Sequence, residues 1–195
     1  MALFKTYSQI DIDYGEIARY MRAKPDPKLN ALIEGCLDEA EGALSYRMVY
    51  DVFPVTRFEE SADNGLIDLH FAKVHSKDLY KNLKESTHIV LFAATVGVGI
   101  DRLIAKYSYT EPSKSLCFEA IGNERVESLC DKFNEEIKAQ YRTVPRYSPG
   151  YGDLSLEVQK DIFKILPCAR IGLNLNDSLL MSPCKSVTAI IGIAD

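Results

Sequence analysis

Residues 87–95 constrain the fold more than any other segment, because this run is almost continuously apolar. A run of this length is typical of a strand that is buried on both faces of its sheet. Two upstream segments, residues 46–58 and 66–71, instead alternate apolar and polar side chains, as half-buried strands do. An Asp-Asn-Gly turn signal at residues 63–65 lies between them. Together they predict an antiparallel hairpin followed by a central, fully buried strand.

Helical periodicity is interspersed among the strands without strict alternation. The longest helix is predicted from about residue 113 to 141, where apolar residues recur every 3.6 positions and acids fill many of the others. This mixture favours the α+β class, with a mixed, largely antiparallel twisted sheet and flanking helices. Shorter helices are predicted at residues 10–22, 27–44, 77–84 and 155–166, and further strands at 170–174 and 186–193.

Length and composition predict a single domain. The chain has 195 residues, of which 47% are hydrophobic and 26% charged, as in an ordinary globular protein with a real core. We expect one domain over residues 1–195, with a helical N-terminal portion at 1–45 and a sheet-containing core at 46–195.

Charge and hydropathy exclude two classes of partner. The chain has 23 Lys and Arg against 28 Asp and Glu, a net charge of −5, and no basic run is interleaved with aromatic residues. A nucleic-acid partner is therefore not expected. The longest apolar run, residues 89–100, is too short to span a bilayer, and residues 1–5 lack a signal-peptide core. The sequence predicts a cytoplasmic protein without a membrane partner.

Cysteine and histidine spacing gives no support for a metal site. The five cysteines include no Cys-x-x-Cys pair, so neither a disulfide framework nor a zinc or iron–sulfur site is expected. The cysteines are predicted to be reduced and mostly buried. The three histidines, His70, His75 and His88, lack the i, i+4 spacing of a metalloprotease helix.

A glycine-rich stretch at residues 95–101, Thr-Val-Gly-Val-Gly-Ile-Asp, follows the central strand. It matches neither the G-x-G-x-x-G fingerprint nor a phosphate-binding loop with its lysine. A tight strand-to-helix turn is the favoured interpretation, although the two glycines also allow a ligand or a neighbouring backbone to approach closely.

The loop of residues 146–153, Arg-Tyr-Ser-Pro-Gly-Tyr-Gly-Asp, is the main candidate for a binding site. Its proline and two glycines disfavour both helix and central strand, so the arginine and the tyrosines are displayed on irregular backbone. Binding residues often lie on such loops, but plain turns have the same composition. The long predicted helix leads directly into this loop, so an acid in its last turns can lie beside it.

Several motifs follow one another in a fixed order, at residues 91–97, 133–137, 146–154, 159–163, 171–178 and 181–193. In this order they resemble one known family, the activation domain of cobalamin-dependent methionine synthase. The likeness is closest to the small free-standing version of that domain. It covers residues 87–193 well and the N-terminal part loosely, and several motifs in the right order are more specific than any one alone.

The resemblance implies a domain that binds S-adenosylmethionine and docks on the cobalamin module of a cobalamin-dependent methionine synthase. There it would support restoration of methylcobalamin from cob(II)alamin, with an electron from a flavodoxin-like donor and a methyl group from S-adenosylmethionine. Such a domain is an accessory subunit of a methyltransferase, and no catalytic residue is predicted in it. Two alternatives are a docking module that binds no S-adenosylmethionine, and a reactivation partner for a different corrinoid methyltransferase.

The resemblance also implies ligand contacts in the loop. Arg146 is expected to hold the carboxylate of S-adenosylmethionine through two parallel hydrogen bonds, which a lysine cannot form. Gly150 would let the backbone approach the ligand, Tyr151 would stack on it or hydrogen-bond to it, and Ser148 would contribute backbone contacts. The competing interpretations are a pairing of Arg146 with Asp153 or with a helix C-terminus, and a packing role for Tyr151.

An acid of the long helix completes the expected site. Glu135 is matched to a ligand-contacting acid of the family, and Asp131, one turn earlier, is its rival; either suits the positive sulfonium and amino groups of the ligand. The chain departs from the fused domain at residues 152–155, which are Gly-Asp-Leu-Ser in place of Pro-Ala-Cys-Pro. Two further family contacts, a tyrosine beyond the last strand and an N-terminal acid, have no match, so we expect low affinity or a need for the partner.

Overall fold

The computed structural model describes residues 1–58 and 65–194, which form ten strands and six α-helices. The strands are β1 (Leu3–Tyr7), β2 (Tyr46–Pro54), β3 (Thr56–Arg57), β4 (Leu66–Asp68), β5 (Lys73–His75), β6 (His88–Thr95), β7 (Arg142–Thr143), β8 (Asn174–Leu175), β9 (Met181–Ser182) and β10 (Ser186–Ala194). The helices are α1 (Tyr14–Tyr20), α2 (Pro27–Ala40), α3 (Lys77–Asn82), α4 (Val98–Tyr107), α5 (Pro112–Lys138) and α6 (Val158–Ile165).

The main sheet has the spatial order β1-β2-β6-β10-β7, and every neighbouring pair in it is antiparallel. β6 lies at its centre, with Thr95 opposite Arg47 of β2 on one side and opposite Ser186 of β10 on the other. β3, β4 and β5 form a separate antiparallel sheet, and β8 pairs with β9. This arrangement confirms the predicted α+β class with a largely antiparallel sheet.

β6 is apolar along its length because its alternate residues are buried in two different cores. The even-numbered residues from 90 to 94 pack in one cluster with α5, where the rings of Phe92 and Phe133 lie 5.3 Å apart between centroids. The odd-numbered residues from 89 to 93 pack on the opposite face with apolar side chains of α3 and α6. Full burial of each large apolar side chain contributes about 1.5–3 kcal/mol, so β6 anchors both layers.

The first two helices begin at aspartates whose side chains cap them. Asp13 accepts a hydrogen bond from the backbone N–H of Glu16 at 3.0 Å, and Asp26 accepts one from that of Leu29 at 2.8 Å. Each cap satisfies an N–H group that has no partner within its helix, a contribution of about 1 kcal/mol. Both helices lie within their predicted ranges, residues 10–22 and 27–44.

The strand predictions are incomplete and, at one place, wrong. β1 was not predicted, because it pairs with β2 at the edge of the sheet and leaves most of its side chains exposed, which removes the alternating pattern. The strand predicted at residues 170–174 is wrong, because Cys168–Ile171 form a short 3-10 helix. Gly172 ends that helix in the left-handed region, with φ of 78°, and turns the chain before β8 begins.

The predicted hairpin is found only in part: residues 56–57 form β3 and pair antiparallel with β4, whereas residues 46–54 form β2, which pairs with β1 and β6 in the main sheet. Asp63 and Asn64 of its turn signal lie outside the described residues. The glycine-rich stretch after β6 is a tight turn into α4, as favoured: Gly97 precedes the helix with φ of 86°. A Cβ atom on Gly99 would lie 2.1 Å from the carbonyl oxygen of Ala43, so it is a neighbouring backbone that approaches there.

The cysteines are free thiols, and four of the five are buried. Burial raises the pKa of Cys168 to about 12, which keeps this thiol protonated and unreactive. The described residues hold no group of three or more His, Cys, Asp and Glu side chains that could bind a metal ion. Among the same residues, no helix is long and apolar enough to cross a membrane.

Glu39 of α2 pairs with Lys106 of α4 and Lys114 of α5. We expect the contact between these three helices to weaken in acid, because Glu39 then becomes protonated. Hydrogen bonds from Lys114, Tyr107 and Lys106 lower the pKa of Glu39 from its ordinary 4.5 to about 2. The stabilisation from this carboxylate is therefore complete above pH 4.5 and is lost as the pH falls toward about 2. Urea unfolding should show a midpoint difference between wild type and Glu39→Gln that narrows over this range. The exposed residue Glu34 provides the control variant Glu34→Gln. The assignment would be contradicted if the midpoint difference for Glu39→Gln did not change with pH, or if Glu34→Gln showed the same difference from wild type.

Candidate functional site

The loop of residues 146–153 lies between the edge of the main sheet and the long helix. β7 pairs with the end of β10, and four residues later Tyr147 exchanges two backbone hydrogen bonds with Ile190 of β10, at 2.8 and 2.9 Å. The loop therefore begins as a bridge to the sheet, with α5 packed on the same strand. Local sequence alone gives no sign of this bridge, because it depends on the returning β10.

The guanidinium group of Arg146 points back to α5. Its Nη1 donates to Asp131 and its Nη2 donates to Glu127. The Asn134 amide, oriented with its oxygen toward the guanidinium, accepts a further bond from Nη1 at 2.6 Å. Residues 127, 131 and 134 share one helical face by their i, i+4, i+7 spacing. The structure thus builds a charged cluster, defined as Arg146, Glu127, Asp131 and Asn134.

Arg146 stays charged in this cluster. Partial burial disfavours the guanidinium charge, but the hydrogen bond to Asp131 and the negative groups around it outweigh that cost and raise the pKa of Arg146. Its side chain is 22% exposed, whereas those of Glu127 and Asp131 are 44% and 68% exposed. A cation with partly open acids beside it is an electrostatic match for a zwitterion.

The predicted contact residue Glu135 lies outside the charged cluster. It forms an exposed ion pair with Lys138 at 3.6 Å, one turn further along α5. The structure therefore brings the rival, Asp131, beside Arg146, and it adds Glu127, which the sequence analysis did not single out. The i, i+4 spacing of Glu127 and Asp131 is the signal that could have identified Glu127. A ligand contact for Glu135 stays a prediction.

The middle of the loop closes on itself. Gly150 has φ of 84°, a left-handed conformation that favours glycine, and its N–H donates to the carbonyl of Leu154 at 2.8 Å. The N–H of Tyr151 donates to the carbonyl of Ser148 at 3.1 Å. This turn fixes the backbone of Ser148 and Gly150 near the surface, as close backbone approach to a ligand requires.

Tyr151 is an exposed ring and not a packing residue of the core. It is 72% exposed, and its contact with Tyr147 is edge-on, with ring centroids 6.0 Å apart. An edge-on contact leaves a face of the Tyr151 ring open to solvent. The geometry therefore disfavours the packing interpretation and leaves the ring available for stacking.

Asp153 does not pair with Arg146, so that competing interpretation is wrong. Its carboxylate accepts hydrogen bonds from Ser76 Oγ and from the backbone N–H groups of Lys77 and Asp78, the last two at 2.7 and 3.3 Å. The bond from Ser76 is the main reason that the pKa of Asp153 is lowered. Asp153 therefore caps α3.

Lys185 fixes the position of β10 on α5. Its side chain crosses the helix at Gly122, where a Cβ atom would lie 2.8 Å from Lys185 Cγ. Its Nζ donates to Glu119 and, at 2.8 Å, to Asn123. The sequence analysis gave no physical role to Lys185. In the structure, Lys185 directly precedes β10, the strand to which Tyr147 of the loop is bonded. Lys185 therefore links this strand to α5, the helix that carries the acids.

Comparison with solved structures places this fold in a known class. The crystal structure of the MetH reactivation domain bound to AdoHcy matches with a TM-score of 0.70 over 98% of this chain and 78% of that one, at 16% sequence identity. No protein-family model and no curated protein sequence matches the chain. The fold is therefore that of the methionine synthase activation domain, which confirms the fold predicted from the ordered motifs.

Proposed function

We propose that this protein binds S-adenosylmethionine or S-adenosylhomocysteine between the loop of residues 146–151 and α5. The observation that carries the proposal is Arg146, held by two acids on a fold whose solved relative contains AdoHcy. Sequence identity of 16% establishes only the shared fold, so the ligand is argued from the side chains of this chain.

The charged cluster suits the amino-acid end of such a ligand. Among the described residues, Arg146 has partners for both Nη1–H groups and for one Nη2–H. The Nε–H and the second Nη2–H are left to hold a carboxylate by two parallel bonds. The ammonium group of the ligand, and in S-adenosylmethionine the sulfonium group as well, would face Asp131 and Glu127, whose charges oppose theirs. Every ionic group of the ligand then has an opposite charge beside it.

The other loop residues suit the uncharged part of the ligand. The left-handed turn at Gly150 leaves no side chain between backbone and ligand. The open face of Tyr151 offers a stacking surface for an adenine ring or a hydrogen bond from its hydroxyl. Ser148 contributes its backbone. These contacts would orient the methyl group of S-adenosylmethionine, which is the group that the ligand supplies.

The wider role proposed is support of the reductive methylation of cob(II)alamin to methylcobalamin on a cobalamin-dependent methionine synthase. An electron from a flavodoxin-like donor and the methyl group of S-adenosylmethionine would enter that reaction together. This chain would bind and orient the methyl donor and dock on the cobalamin module, while the cofactor on the partner carries the reaction. No catalytic residue of this chain is required.

Titration calorimetry with two ligands tests the binding proposal. We expect S-adenosylhomocysteine to bind at least about 100-fold more tightly than 5′-methylthioadenosine, which lacks the carboxylate and the ammonium group. Each hydrogen bond to a charged group contributes about 1.5–3 kcal/mol, and a tenfold change in affinity corresponds to about 1.4 kcal/mol. Equal affinities would contradict the assignment of the charged cluster to the amino-acid end.

A second titration includes the partner. If S-adenosylhomocysteine binds only when a cobalamin-dependent methionine synthase lacking its own activation domain is present, the site is completed by docking. Binding to neither the free protein nor the complex would contradict the proposal and favour a docking module without this ligand. Binding of the ligand without any stimulation of that methionine synthase would point to a different corrinoid methyltransferase as the partner.

A further inference from the structure

The C-terminal end of the binding loop is fastened to α3 by Asp153. Ser76 is 1% exposed and is the N-cap of α3, where its Oγ accepts from the N–H of Leu79 at 2.9 Å and donates to Asp153. The same carboxylate accepts from the N–H of Lys77 at 2.7 Å. These are charge-assisted hydrogen bonds between segments more than 70 residues apart in the chain.

Gly152 allows this close approach. It has φ of 52°, and a Cβ atom there would lie 2.3 Å from the hydroxyl oxygen of Tyr147 and 2.7 Å from Oδ2 of Asp78. Its left-handed φ favours glycine, and any side chain there would displace the ends of the Tyr147 and Asp78 side chains. Gly152 and Asp153 therefore act together: the glycine allows the loop to approach α3, and the aspartate forms the hydrogen bonds to α3.

The loop thus has three anchors on three elements. Arg146 is bonded to α5, Tyr147 to β10 and Asp153 to α3. Residues 148–151, which carry the proposed contacts to the uncharged part of the ligand, lie between the second and third anchors. On the C-terminal side, Gly150 and Tyr151 are bonded to Leu154, which is buried in the core. Asp153, the neighbour of Leu154, holds this side of the segment to α3.

We propose that Asp153 is a positioning residue for ligand binding: by capping α3 it holds residues 148–151 in the conformation that receives the ligand. This inference rests on the proposed function. Without the anchor, part of the ordering of residues 148–151 is left to the moment of binding, and fixing the backbone of a residue is costly. We expect Asp153→Asn to weaken S-adenosylhomocysteine binding by about 10-fold, the scale of ordering one loop residue.

A fluorescence measurement without ligand tests the positioning itself. The chain contains no tryptophan, so Tyr151→Trp introduces a single reporter in the loop. In this background, Asp153→Asn is expected to increase acrylamide quenching of Trp fluorescence and to lower its anisotropy. The control Asp161→Asn removes a carboxylate from an exposed i, i+3 pair with Lys164 and should leave both signals unchanged. Ser76→Ala removes one bond to Asp153 and should give a smaller change in the same direction.

The two measurements separate the possible failures. Unchanged quenching and anisotropy in both Asp153→Asn and Ser76→Ala would overturn the positioning role, whatever happens to affinity. If Asp153→Asn changes the fluorescence signals but does not change the affinity for S-adenosylhomocysteine, measured in protein that keeps Tyr151, then Asp153 does not act on ligand binding. If wild-type protein binds no S-adenosylhomocysteine at all, the proposed function fails, while the fluorescence still decides whether Asp153 holds the loop. Should Asp153→Asn not fold, as judged by circular dichroism, Ser76→Ala decides alone.

Discussion

Arg146→Ala is expected to weaken S-adenosylhomocysteine binding by roughly 100-fold or more. The substitution removes the two N–H groups proposed to hold the ligand carboxylate, and two hydrogen bonds to a charged group contribute about 3 kcal/mol together at the lower end of their range. It also leaves Glu127 and Asp131 without the cation that they now share. Calorimetric titration of the variant against wild type measures the effect directly.

Two further variants make this result specific to Arg146. Arg142 lies four residues before Arg146 and forms an exposed ion pair with Glu85. Arg142→Ala breaks this pair and is expected to leave ligand affinity unchanged. Arg146→Lys keeps the charge but not the planar fork, so an intermediate loss is expected. If Arg146→Ala binds as wild type does, or if Arg142→Ala loses as much affinity, the carboxylate contact is wrong.

Arg125→Ala is expected to cost about 3–5 kcal/mol of the free energy of unfolding, because it leaves the charge of Glu124 buried and unpaired. Arg125 and Glu124 are 1% and 2% exposed. Natural domains of this kind have a total stability of about 5–15 kcal/mol, so the loss brings the protein close to unfolding. The midpoint of urea unfolding, followed by circular dichroism, measures it.

The size of this effect follows from what the pair holds in place. Arg125 bonds to Glu124 and, through Nη1 at 2.8 Å, to the carbonyl oxygen of Ile10, while its Nη2 also donates to the carbonyl of Asp11. Glu124 accepts in turn from the N–H of Asp13 at 3.1 Å. The buried pair therefore satisfies the backbone between β1 and α1 and ties this segment to α5.

Two comparisons distinguish a buried charge from a general helix effect. Arg19→Ala breaks the exposed Glu16–Arg19 pair on α1 and should leave the unfolding midpoint nearly unchanged. Adding Glu124→Gln to Arg125→Ala removes the unpaired charge while keeping an acceptor oxygen, so part of the stability should return. An Arg125→Ala midpoint equal to that of Arg19→Ala would contradict the proposed cost.

Local pattern and chemistry were enough to predict the fold class. The apolar run at residues 87–95 is central because its two sets of alternating side chains fill two cores, and a pattern of period two or 3.6 reports burial directly. The caps at Asp13 and Asp26 are equally local, since each carboxylate reaches an N–H three residues ahead. β1 and the 3-10 helix before Gly172 were missed, because edge pairing and a left-handed turn leave little periodicity.

The loop of residues 146–153 shows where the sequence stops being sufficient. Its composition determined that the chain is irregular there and that an arginine and an exposed tyrosine are displayed. Only the tertiary structure decided that Arg146 meets Asp131 and Glu127, with Glu135 elsewhere, and that Asp153 bonds to α3. Those partners are set by the rotation of α5 and by the packing of β10 against it. Such long-range contacts depend on how whole elements pack, a property that no short stretch of sequence encodes.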